Sequence, residues 1–148
     1  MLNLEQHLKK FRKESLPKVS VSNPILKLGT NPSYTCRHNC ITLKEETIFL
    51  DDTPFWRIYF HSKFTNGIEH YPKFSQQVLD FLIKIHQEHP QLRKPTYIHS
   101  KEFEYVSSFF GTIREFHGLE HIIFNRETLV FKQSFHGGLY EPSSIQLV

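Results

Sequence analysis

The chain has 148 residues and a formal net charge of +3, with 39% hydrophobic and 22% charged residues. That composition excludes an intrinsically disordered chain, and the length suits one domain burying roughly two-thirds of its unfolded surface. No continuous apolar stretch opens the sequence, no run is long enough to span a bilayer, and two cysteines, Cys36 and Cys40, are too few for a disulfide scaffold, so a soluble cytoplasmic protein without membrane association is expected.

The basic charge sits at the front: residues 1–40 carry seven Lys/Arg against two Glu, a net +5, whereas residues 41–148 carry 11 against 13, a net −2. Within that front part Leu4, Leu8 and Phe11 repeat at helical spacing with Lys9, Lys10, Arg12 and Lys13 between them. A basic amphipathic helix over residues 3–15 is expected, with Asn3 as its cap, in an N-terminal segment 1–16. Residues 17–40 are broken by Pro17, Pro24, Gly29 and Pro32 into an irregular segment. Its two short extended pieces are Val19 to Val21 and Ile25 to Leu28, and at least one is expected to pair as an edge strand.

A core over residues 41–135 follows. Ile41 to Leu50, Phe55 to Lys63 and Ile68 to Tyr71 predict a three-stranded meander, its last turn at Asn66-Gly67. Alternation puts Trp56, Ile58 and Phe60 on an inner face, and Arg57, Tyr59, His61 and Lys63 on an outer one, with His70 brought opposite Lys63 by the turn. Phe74, Val78, Phe81, Leu82 and Ile85 predict a helix closed by Pro90 and packed on that inner face. Thr96 to His99 reads as a strand. Ser100 is expected to cap a second helix with Phe103, Val106, Phe110 and Ile113 as its stripe and Gly118 as its end. Leu119 to Phe124 and Thr128 to Phe135 predict a closing hairpin, and residues 136–148 a peripheral tail. No repeat of solenoid length is present. The fold class is α+β: a single domain with a largely antiparallel sheet, made of a three-stranded meander plus a C-terminal hairpin, and helices packed on one face.

Three strings carry chemistry. His117-Gly118-Leu119-Glu120-His121 has the His-x-x-Glu-His spacing and resembles the inverted zinc motif of pitrilysin- and insulysin-type metallopeptidases. The resemblance implies His117 and His121 as ligands and Glu120 as base. Gly118 where a helix must continue, and a short remaining chain for the third ligand, weigh against zinc. Cys36-x-His38-x-Cys40 has no second cysteine pair to complete a metal site. Tyr59-Phe60-His61-Ser62-Lys63 and Tyr97-Ile98-His99-Ser100-Lys101 echo one another, and two histidines brought together would supply the base and acid of phosphodiester cleavage.

The pattern from Trp56 through Asn66-Gly67 into the following helix loosely resembles the three-stranded DNA-binding modules of tyrosine integrases, which implies a sheet entering the major groove. Without a phosphate loop, nucleophile elbow or metal-nuclease signature, no catalytic residue is assignable, and neither cofactor nor metal is expected. The reading is a non-catalytic binding module whose partner is nucleic acid, held by Arg57, Tyr59, His61, Lys63 and His70. The alternatives are a protein-binding adaptor, immunity or regulatory protein and, third, a histidine-based ribonuclease or zinc-dependent hydrolase.

Overall fold

A computed structural model of the chain describes residues 3–15, 25–38, 43–89 and 96–140. The elements run α1 (Leu4–Ser15), β1 (Ile25–Leu28), β2 (Ser33–His38), β3 (Leu43–Leu50), β4 (Thr53–Phe64), α2 (Pro72–Glu88), β5 (Thr96–Ser100), β6 (Phe103–Thr112), β7 (Glu115–Phe124) and β8 (Thr128–Leu139). All eight strands form one antiparallel sheet in the order β1-β2-β3-β4-β8-β7-β6-β5. The architecture is therefore a helix followed by a four-stranded meander, written twice. The two last strands, β4 and β8, zip the halves together.

Each helix covers its own half. Leu8 and Phe11 of α1 bury against Tyr34, Ile48, Trp56, Ile58 and Phe60, and Val78, Phe81, Leu82 and Ile85 of α2 bury against Phe103, Tyr105, Ile122, Val130 and Phe131. Fully burying each such apolar side chain contributes roughly 1.5–3 kcal/mol. Trp56 keeps its one polar atom satisfied by donating its indole N–H to the Ile113 carbonyl at 3.0 Å.

The repetition extends to two buried polar clusters, in each of which a nitrogen-bearing side chain from the last turns of a helix meets a glutamate 34 residues later. In the first half Arg12 holds Glu46 at 2.6 Å, and the Tyr34 hydroxyl donates to the same carboxylate at 2.7 Å. In the second, His86 Nε2 lies 2.6 Å from Glu120, to which Tyr105 and Gln133 also donate. A carboxylate only accepts, so the His86 proton sits on Nε2. Burial and the neighbouring carboxylate push both tyrosines' pKa values up, so both hydroxyls stay protonated donors. Because the partners differ, Arg in one half and His in the other, the repeat is architectural.

The expected helices 3–15 and 74–85, the strand at Thr96, the edge strand at Ile25 and the closing hairpin are all formed. Val19 to Val21, Pro90 and residues 141–148 of the expected tail lie outside the described residues, and residues 136–139, expected in that peripheral tail, instead continue β8 in the middle of the sheet. Three further expectations are corrected. Residues 103–112 form strand β6 where a helix was expected: the buried positions Phe103 and Tyr105 alternate, the aromatic and β-branched run suits a pleated surface, and Gly111 turns the chain at φ +102°. Ile68 to Tyr71 does not pair as a strand, because β8 already occupies that edge of β4. Asn66 and Gly67 do adopt left-handed conformations, but Asn66 is tied to the Leu129 carbonyl and the chain enters a 3-10 turn at Ile68–His70. Lastly, Trp56 and Ile58 lie in the core cluster of α1, and α2 packs chiefly on β6, β7 and β8.

Candidate functional site

With both helices on one face, the other face of the sheet carries the exposed positions of each strand. Four of the five residues expected on the outer strip, Arg57, Tyr59, His61 and Lys63, lie on this open face at alternate positions of β4. His70 does not join them. It stands in the 3-10 turn before α2, strongly exposed beside Glu69, and Lys63 pairs with Lys132.

Register extends the strip across neighbouring strands into rows. One row reads Arg37, Glu45, Tyr59, His136, His117, Phe110 from β2 to β6, the next Arg57, Gly138, Glu115. Further along β4 come His61, Ser134, Leu119 and then Lys63, Lys132, His121. The first row is an aromatic ladder in two stacked pairs, Tyr59 on His136 at 5.4 Å and Phe110 on His117 at 5.2 Å between centroids.

Arg57 is held in place from several sides. Its Nη1 donates to the Tyr59 hydroxyl at 2.8 Å, its Nε donates to Thr47 Oγ1 and faces Glu45 at 3.4 Å, and its guanidinium lies over the rings of Tyr59 and Tyr140. Such a clamp removes the rotamer freedom a lone arginine loses on binding. Lys63 and Lys132 differ: they face each other across β4 and β8 with no ion pair among the described residues. Two depressions result. One of about 780 Å³ lies among Arg57, Tyr59, Phe110, Glu115, His117, His136 and Tyr140 over Gly137 and Gly138, and one of about 390 Å³ is lined by His61, Lys63, Leu119, Lys132, Gln133 and Ser134.

The other strings resolve differently. His117 through His121 is strand, so His117 and His121 project onto the open face while Glu120 projects to the opposite face, into its buried cluster. The one-helix geometry of the zinc motif is thus absent. His61 and His99 stand on β4 and β5, four strand spacings or roughly 19 Å apart, too far to share one phosphate. Cys36 is fully buried, its thiol pushed up to about 12 by burial and by the Glu46 charge, His38 ends β2, and Cys40 lies outside the described residues. Among the described residues no group of three or more His, Cys, Asp or Glu could hold a metal ion, and no helix is long and apolar enough to cross a membrane.

Phe110, Glu115, His117, His121, Lys132 and His136 are the face residues that the sequence reading left out. Alternation within the hairpin, Lys132, Ser134, His136 against buried Phe131, Gln133, Phe135, is the signal that places two of them, Lys132 and His136, on one side. That β8 rather than a local strand lines up with β4 is not a local property.

A family described as Domain of unknown function (DUF5680) matches residues 38–140, from the last residue of β2 to just beyond β8. No curated protein and no solved structure matches the chain.

Proposed function

The chain belongs to this family, DUF5680, and for it we propose nucleic-acid binding on the open sheet face, without catalysis, through Arg57, Tyr59, His61 and Lys63 of β4 together with His136 and Lys132 of β8. The observation that carries the reading is the Lys63–Lys132 pair. Like charges directly opposite on adjacent strands are destabilising, and an anion lying between them turns that repulsion into attraction. The ladder one end of the strip away supplies ring edges and faces for bases, and a cationic groove beside aromatics is the combination by which single strands are held.

The test is fluorescence anisotropy with labelled single-stranded RNA and DNA across a salt series. Log affinity is expected to fall linearly with log salt, at about 0.7 per phosphate contacted. Lys63→Ala with Lys132→Ala removes two contacts and flattens the slope by about 1.4. Absence of binding at low salt, or a slope that the double variant leaves unchanged, overturns the reading. A second reading, a protein partner docked on the same face, is supported by exposed Tyr97, Phe110 and Leu119. It predicts association with little salt dependence.

A further inference from the structure

The larger depression has a feature that general anion binding does not use. In the row Arg57, Gly138, Glu115 the middle strand contributes no side chain, so a notch about two strand spacings wide, near 10 Å, separates a fixed arginine from a carboxylate. Its floor carries no side chain, Gly138 itself being buried, and none can be added there for a packing reason. A Cβ on Gly137 would strike the Arg57 carbonyl, and one on Gly138, at φ +148°, would strike the Arg114 carbonyl. Along one side stand the rings of His136 and His117, and Tyr140 borders it too.

The two walls are chemically opposite. Arg57 Nη2 has no hydrogen-bond partner among the described residues and is held still by the clamp on Nε and Nη1, so it presents donors. Glu115, exposed and without an ion pair among the described residues, presents acceptors. A planar ligand spanning the notch therefore needs acceptors on one edge and donors on the other. Among nucleobases guanine carries O6 and N7 as acceptors on one edge and the N2 amino donor on the far side, whereas adenine offers N7 with an adjacent N6 donor on the same edge, which meets the arginine with a clash of donors. Pyrimidines are too short to reach both walls.

Resting on the nucleic-acid reading above, we infer that the notch over Gly138 between Arg57 and Glu115 is a base pocket that selects guanine in a bound single strand. Arg57 donates to O6 and N7, Glu115 accepts from the N2 amino group, and the Lys63–Lys132 pair further along β4 takes the backbone.

The experiment uses the full chain and short fluorescent oligouridine strands carrying one central guanosine, adenosine, cytidine, uridine or inosine. Guanosine is expected to bind at least about fivefold tighter than uridine, the lower end of what one bidentate pair gives. Inosine, which keeps O6 and N7 and lacks only the N2 amino group, is expected to keep the part of that advantage given by Arg57 and to lose the part given by Glu115. Glu115→Ala, at an exposed position, removes the acceptor and is expected to abolish the difference between guanosine and inosine. Equal affinity for all five strands overturns the base pocket and leaves the binding face standing. A guanosine preference insensitive to both inosine and Glu115→Ala overturns it as well. No binding of any strand at low salt removes the nucleic-acid reading itself.

Discussion

Arg12→Met is the substitution from which the packing argument can be measured. Arg12 and Glu46 are 1% and 0% exposed, and the pair is bidentate: Nη2 to Oε2 at 2.6 Å, Nε to both carboxylate oxygens at 3.0 Å. Removing only the cation leaves a carboxylate in the core with the Tyr34 hydroxyl as its remaining support. Breaking a buried pair this way costs about 3–5 kcal/mol, a large part of the 5–15 kcal/mol typical of a domain. Replacing both partners, Arg12→Met with Glu46→Leu, removes the stranded charge as well. Among the described residues what then remains is the Tyr34 hydroxyl without an acceptor, about 1–3 kcal/mol. The double variant is therefore expected to be more stable than the single one. Urea titration followed by tryptophan fluorescence measures both, Trp56 sitting in the same cluster, with unchanged m-values licensing the comparison. An Arg12→Met cost below about 1 kcal/mol, or a double variant weaker than the single, would refute the claim that α1 is tied to the sheet by a desolvated charge.

Two further outcomes follow from the second half. Burial alone would raise the Glu120 pKa, but the His86 charge and the hydrogen bonds from His86, Tyr105 and Gln133 outweigh it and hold the carboxyl at about 2, against an ordinary 4.5. A depressed acid stabilises fully above its unfolded value and loses that contribution as pH falls toward its folded one. About 3 kcal/mol is therefore expected to vanish between roughly pH 4.5 and pH 2, and the acid limb of a stability-versus-pH curve should be shallower in Glu120→Gln; identical limbs would contradict this. Gly118→Ala would put a Cβ into the Phe135 ring and the Ser108 carbonyl, and is expected to cost about 1–3 kcal/mol in a thermal melt, an unchanged midpoint ruling out that close approach.

The elements that could be read from sequence are those in which one period wins outright. In α1 the apolar spacing and the Asn3 cap agree, and the Asn3 side chain does accept the Gln6 N–H at 3.1 Å. In α2, Phe74 through Ile85 fit a helix and nothing else. At Phe103, Tyr105, Val106, Phe109 and Phe110 both periods find apolar residues, so helix and strand templates compete, and tertiary pairing with β5 and β7 decides for strand. For the open face, alternation on β4 was legible and gave Arg57, Tyr59, His61 and Lys63. His70 was misplaced because the Asn66-Gly67 turn chemistry is correct but the edge it would need is already paired. That the face residues of β7 and β8 lie beside those of β4 depends on strand order across the whole chain, which no window of sequence contains.

The seam between β4 and β8 has a consequence for how the molecule forms. Within each half, strands pair with their immediate chain neighbours, so each meander closes through short loops. The seam instead joins residues as distant as Trp56 and Leu139. Loop-closure entropy makes such a ladder the slow, non-local contact of the fold. Tyr59 stacks on His136, and Lys63 faces Lys132, only across that ladder. The open face is consequently assembled by seam closure, and any ligand spanning it draws on the same free energy that joins the halves, so occupancy and zippering are thermodynamically linked.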